Sequence, residues 1–573
     1  MSARFRVCVL GLVVAVLLSS PATATDAVSD ITTARASVDR GDWKAALDPL
    51  SRLAAQSPTN GEFRLSLARA RYYTGDFAGA EADYKTAFAL NAEDPALAAY
   101  GVAKCAARLN NASEAMTWMR LSVSLGLRRL EDARTDDDLA PLRGDPAFRE
   151  LVGLPAAVAP SRDEGWRSDI RFLADRVEHK SYHPFRTTTS DRYVSGAAYT
   201  EAEFEAASQK LIAGVPAMSD RAIEIALFRL VAALGDGHTI IAGSRKRLEF
   251  AQTLPLGFYV FDDGVRIVSA APKYAELVGA KLIALDGTPA TDALVKIDPL
   301  IARDSSQWVK AMEPQYLRHV PFLKELGITK TENTATLVIV TRDGLAKTVQ
   351  VDADPSTPDI WNAVPKPEGW IWMGDNSKAD FQRDNDKPCW LRWDAGSGIL
   401  YVQYNKIADS QTQTLAGFAA ELAGALDKNP VDKLVIDMRN NNGGDTYLNQ
   451  PLLAAIAGNP KVNRAGHLYV IIGRRTFSAA MNAVSYFGRF TKAIFVGEPT
   501  GGKPNAPGDE TFFTLPNSGI AVNLSDRYWQ GGWPDDFSDF RAPDISAPES
   551  FADYAAGRDA AMEAIRAQSL PVE

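Results

Sequence analysis

Ile472-Gly473-Arg474-Arg475-Thr476-Phe477-Ser478-Ala479-Ala480 sets a hydroxyl among small residues, between a strand-like run and a helix-like one. Residues 467–472 are β-branched and aromatic enough for a buried strand, and 478–487 carry a helical pattern. Ser478 is therefore expected at a helix start. There, unpaired backbone N–H groups and the helix dipole favour a developing negative charge. A serine so placed has two readings, a nucleophile beside an oxyanion site or an N-cap.

Two further segments bear on that choice. Leu434-Val435-Ile436-Asp437-Met438-Arg439-Asn440-Asn441-Asn442-Gly443-Gly444-Asp445 is an apolar strand ending in an Asn/Gly turn, where a backbone can approach a ligand closely. Leu234-Gly235-Asp236-Gly237-His238-Thr239 sets a histidine after a Gly-rich turn and the helical pattern of 222–234. Histidine supplies a general base near neutral pH.

In combination and in this order, the Asp-Gly-His-Thr turn, the Asp-x-Arg-x-Asn-x-Gly-Gly strand end and Gly497-Glu498-Pro499-Thr500-Gly501-Gly502 resemble the tail-specific, or C-terminal-processing, serine protease family. The resemblance is to its tricorn-core and retinoid-binding-protein-like branch and spans roughly residues 166–571. It implies peptide-bond hydrolysis through an acyl-enzyme on a crotonase-like α/β core (a ββα spiral), often with a PDZ-like domain.

The N-terminus places Arg4 and Arg6 before the apolar run 7–18 and then Ala22-Thr23-Ala24, the pattern of a secretory signal (1–24) with its cleavage site. An exported protein, periplasmic or secreted, is expected, without an integral membrane span. Loss of Arg4 and Arg6 takes the formal charge from -9 to -11, which argues against a nucleic-acid surface. Cys105 and Cys389 fall in different expected domains, so a disulfide between them is not favoured. No Cys/His cluster has metal-ligand spacing, and no cofactor is implied.

Gly41-Asp42-Trp43 recurs as Gly75-Asp76-Phe77, and Ala46 as Ala80, at the 34-residue tetratricopeptide period. A degenerate third copy has Asn110-Asn111 in the turn and Ala115 at the small-residue place. The expected order is thus an all-α tetratricopeptide solenoid (30–153) and a Pro-containing linker (154–165). A helical cap carrying His238 (166–253), a PDZ-like β subdomain (254–352) and the catalytic core (353–573) follow. Residues 352–397, rich in Trp, Pro and Asp, read as a surface excursion, and 550–567 as one C-terminal helix.

Peptide hydrolysis needs a nucleophile, a base and oxyanion donors. These are assigned to Ser478, His238 and the backbone N–H groups of Gly443 and Ala479, with Arg439 and Asn441 bracing the turn. The base has a competitor. The processing branch of the family uses a Ser-Lys dyad, and Lys503 ends the matching segment 25 residues after Ser478; yet Pro504-Asn505 stand where that branch has a glycine and a strand. In tricorn-like enzymes a serine beside the histidine and a downstream acid orient the base. Here Gly237 precedes His238, and Asp536, 58 residues past Ser478, is the acid in the matching stretch. A protein or peptide substrate is expected, with a partner protein as a further candidate for the repeats. The rival reading is a non-catalytic module binding an apolar ligand or a peptide on the same fold.

Overall fold

The computed structural model describes residues 22–92, 94–127, 130–154, 160–182, 185, 199–243, 252–357, 367–509 and 511–570. The signal segment up to residue 21, His183 and residues 155–159 of the linker lie outside them, and the helix Arg162–Lys180 already begins within the expected linker. The chain divides into two compact units, Met1–Ala157 and Val158–Glu573.

The first unit is a run of helix hairpins: Ala22–Asp39 with Trp43–Gln56, Gly61–Tyr73 with Phe77–Ala89, and Pro95–Arg108 with Ala112–Ser124. The sequence repeat is visible in its turns. Gly41 and Gly75 take positive φ, as does Asn110 at the third turn, and Asp42, Asp76 and Asn111 then cap the following helices through their side chains. Ala46, Ala80 and Ala115 are fully buried where paired helices meet.

The second unit is built around a six-stranded sheet. Its order is Ile545–Ser546, Ile494–Gly497, Leu468–Ile472, Lys433–Asp437, Ile399–Tyr404 and Cys389–Asp394. All neighbours are parallel except the last pair. Both faces are covered, which is why these strands read as continuous apolar runs. Leu400, Val402, Leu434, Ile436 and Val470 pack on the helices Leu415–Lys428 and Ala479–Phe490, whereas Tyr401, Val435, Tyr469 and Ile471 face Ala560–Arg566.

Three expectations need correction. The segment 352–397 is no mere surface excursion, because Cys389–Asp394 is an edge strand of the sheet and Phe381 and Gln382 are buried. The C-terminal helix is two, Phe551–Ala556 and Ala560–Arg566, broken where Gly557 takes a left-handed conformation and Asp559 caps the second. Pro504-Asn505 do not displace a strand: Asn505–Gly508 pairs with Arg527–Gln530.

A second, antiparallel sheet comprises Leu256–Phe261, Gly264–Ala270, Lys281–Leu285, Thr334–Val340 and Ala346–Asp352, with the helices Ala290–Ile297 and Ser306–Tyr316 against its core. Cys105 and Cys389 are both buried free thiols. Among the described residues no helix is long and apolar enough to cross a membrane.

Candidate active site

Ser478 leaves the strand Leu468–Ile472 through a tight turn and immediately precedes the helix Ala479–Phe490. Its backbone stands at φ 55°, ψ -132°, and its side chain makes no capping bond. The N-cap reading therefore fails. A positive φ in a residue with a side chain costs roughly 1–3 kcal/mol and persists only where neighbours enforce it. Here they do. The Thr476 hydroxyl donates to Met438 O at 2.9 Å while accepting from Gly473 N–H at 3.1 Å, and Phe477 N–H donates to Asn441 O at 3.2 Å.

Those bonds tie the serine turn to the Asn/Gly turn. Gly443, at φ 113°, lies so close that a Cβ there would stand 2.6 Å from Ser478 Cβ and 3.0 Å from Ala479 N, so no larger residue fits. The Ala479 amide is the first of its helix and belongs to the N–H groups without an intrahelical acceptor. The Gly443 amide differs from the open donor expected, since it donates to Asn441 Oδ1 at 2.9 Å. Asparagine readily accepts from the backbone two residues on. Asn441 and Arg439 brace this turn: Asn441 Nδ2 donates to Tyr404 O at 2.9 Å, and Arg439 pairs with Asp437 and Asp559.

His238 reaches the site because the strand Ile240–Gly243 pairs antiparallel with Ala521–Leu524, and Ser525 N–H donates to the Thr239 hydroxyl at 3.0 Å. Its ring is buried and stacks on Phe477 at 4.5 Å, which in turn stacks on Trp308 at 4.0 Å. Phe477 explains Gly237. A Cβ at 237 would lie 2.8 Å from the Phe477 ring and 3.0 Å from Asp304 Oδ1, leaving no room for a serine.

Ser478, Ala479, His238, Lys503 and Asp304 line one cavity of about 630 Å³. Lys503 is set there by Gly501 and Gly502, whose amides donate to Thr476 O, and its Nζ lies 3.9 Å from Asp539 Oδ1. Asp536 does not line this cavity; its carboxylate accepts from Ser538 N–H within its own loop. The carboxylates facing His238 are Asp236 and Asp304 instead. Asp236 Oδ1 accepts from His238 N–H at 2.9 Å, and Asp304 Oδ1 accepts from Gly237 N–H at 2.8 Å. Burial pushes the Asp304 carboxyl above its usual range, and the nearby His238 and Lys503 work against that rise. Asp304 was not singled out from sequence because Asp304-Ser305-Ser306 reads only as a helix start. Ser305 does cap that helix, and its hydroxyl also donates to Gly501 O at 2.7 Å.

No family model and no curated protein matches this chain. Solved structures do. Mature CPAF complexed with lactacystin is 14% identical, with 70% of this chain and 97% of that one covered at a TM-score of 0.50. A mutant form of CPAF is 13% identical, with 72% and 99% covered, again at 0.50. The photosystem II D1 C-terminal processing protease is 16% identical over 70% and 99%, at 0.33. The motifs that resemble tail-specific, C-terminal-processing serine proteases thus sit in a chain that has the fold of CPAF.

Proposed function

We propose that this protein is an exported serine peptidase that hydrolyses peptide bonds in protein or peptide substrates through a Ser478 acyl-enzyme, with His238 as general base. The observation that carries the reading is the strained, uncapped Ser478 at the mouth of a helix, sharing a cavity with a buried histidine. Ser478 Oγ attacks the scissile carbonyl carbon as its proton passes to His238. The oxyanion is held by Ala479 N–H and by Gly443 N–H, the latter exchanging Asn441 Oδ1 for the substrate oxygen. Collapse expels the amine with the proton from His238, and water then cleaves the ester by the same route.

His238 is preferred to Lys503 because a lysine base must be a neutral amine, and Nζ of Lys503 is ion-paired with Asp539. Asp304 takes the part expected of Asp536, stabilising the imidazolium by its charge. On the same reading the helix hairpins are a tetratricopeptide solenoid offering a partner surface. The antiparallel subdomain is PDZ-like, and the core is crotonase-like.

A fluorophosphonate probe tests the nucleophile. Wild-type protein should be labelled once, at Ser478, and Ser478→Ala should lose both labelling and several orders of magnitude of turnover while keeping its fold. Labelling elsewhere, or an active Ser478→Ala, would sink the reading. For the base, His238→Ala should fall nearly as far as Ser478→Ala, and the double variant little further, because residues acting as a unit are non-additive. Lys503→Ala should keep most activity; the reverse pattern would make Lys503 the base.

A further inference from the structure

His238 Nδ1 is buried and makes no hydrogen bond among the described residues. Asp236 Oδ1 stands 4.0 Å away, too far for a hydrogen bond. Asp304 closes the group from another element, and one ligand-capable atom from each of the three lies within 4.8 Å of the others. An orphaned, buried imidazole nitrogen facing two carboxylates is costly unless something fills the gap.

The spacing is near that of a shared ion. Zinc binds nitrogen and carboxylate oxygen at about 2.0–2.2 Å in tetrahedral geometry, so two atoms on one ion stand about 3.3–3.6 Å apart. The 4.0 Å between His238 Nδ1 and Asp236 Oδ1 and the 4.8 Å within which all three ligand atoms lie exceed this, so small turns of the side chains would bring them onto one ion. Each carboxylate keeps lone pairs beyond those given to His238 N–H, Thr239 Oγ1 and Gly237 N–H. Two negative charges offset a dication, while Lys503, on the same cavity, opposes it. Three protein ligands including an imidazole suit zinc better than calcium or magnesium, which favour oxygen-rich shells.

We propose that Asp236, His238 and Asp304 form a binding site for one divalent ion of the zinc type, entered from the Ser478 cavity, whose occupation immobilises the His238 ring. If His238 is the general base, as in the function proposed above, the ion acts as a reversible inhibitor.

Zinc alone is the probe, added to the full chain in competition with a chromophoric chelator. One equivalent should bind, and both His238→Ala and Asp304→Asn should weaken binding by tenfold or more. Absence of binding, or binding unchanged in both variants, overturns the site. A second readout needs no variant: zinc should protect His238 of wild-type protein from acylation by diethyl pyrocarbonate, located by mass spectrometry, and unprotected His238 in zinc-saturated protein overturns the proposal. Fluorophosphonate labelling separates the two claims. Labelling of Ser478 in protein that binds no zinc removes the metal site alone, whereas zinc bound at His238 in protein that never labels upholds the site and removes the peptidase.

Discussion

At Ser478 the backbone stores strain where the chemistry is placed. Glycine has no Cβ to object to φ 55°, so Ser478→Gly should be more stable than Ser478→Ala by about 1 kcal/mol in urea denaturation, although both are unreactive. Equal stabilities would show that the turn is unstrained. The opposite is expected at Gly443. Gly443→Ala must hold φ 113° and push a methyl to within 2.6 Å of Ser478 Cβ, so it should lose about 2–4 kcal/mol and most labelling. The acid is tested at the same scale. Asp304→Asn should lower kcat about 10- to 100-fold by removing one of the two charges that face the imidazolium, and Asp536→Asn should stay within about twofold of wild type. A silent Asp304→Asn would remove it from the site.

Between elements, Arg439 is the tie at the carboxyl end of Lys433–Asp437. Its guanidinium meets Asp437 at 2.9 Å, Asp559 ahead of the last helix at 3.0 Å and Glu549 at 3.8 Å. Burial raises the Glu549 carboxyl to about 8, despite Arg439. A raised folded-state pKa means the native protein holds a proton that the unfolded chain has released. Stability linked to Glu549 is therefore complete below the ordinary value of 4.5 and is lost as pH climbs through about 8. Thermal denaturation from pH 5 to 9 should show wild-type protein losing stability more steeply than Glu549→Gln. Parallel curves would mean that Glu549 ionises in the fold as it does in water. The elements themselves are well marked in the chain: Leu468–Ile472 falls within a residue of the run 467–472, and Lys433–Asp437 takes in the start of the apolar run that begins at Leu434. Strands buried on both faces are unbroken apolar runs, which single them out. Cys389–Asp394 was hidden because it is an edge strand whose side chains are mostly only half-buried, so it lacks that signature.

For the whole molecule, every described residue lining the Ser478 cavity belongs to the second unit, and each unit buries its own apolar clusters. A chain starting at Val158 should therefore fold and react with the fluorophosphonate within about twofold of the full-length rate. Insolubility, or loss of labelling, would show that the units depend on each other. What the sequence by itself determined were the features written in short stretches: the 34-residue repeat, the parallel strands, and the Ser478, Gly443 and His238 turns, whose residue types are demanded by local backbone geometry. Tertiary structure alone decided which carboxylate faces the histidine. Asp304 and Asp536 look alike in the chain, and only the packing of Phe477 against Trp308 and His238 brings the loop before Ser306–Tyr316, and not the one around Asp536, into the cavity. It also decided that the Gly443 amide rests on Asn441, because a hydrogen bond across a turn depends on dihedral angles that residue names do not specify.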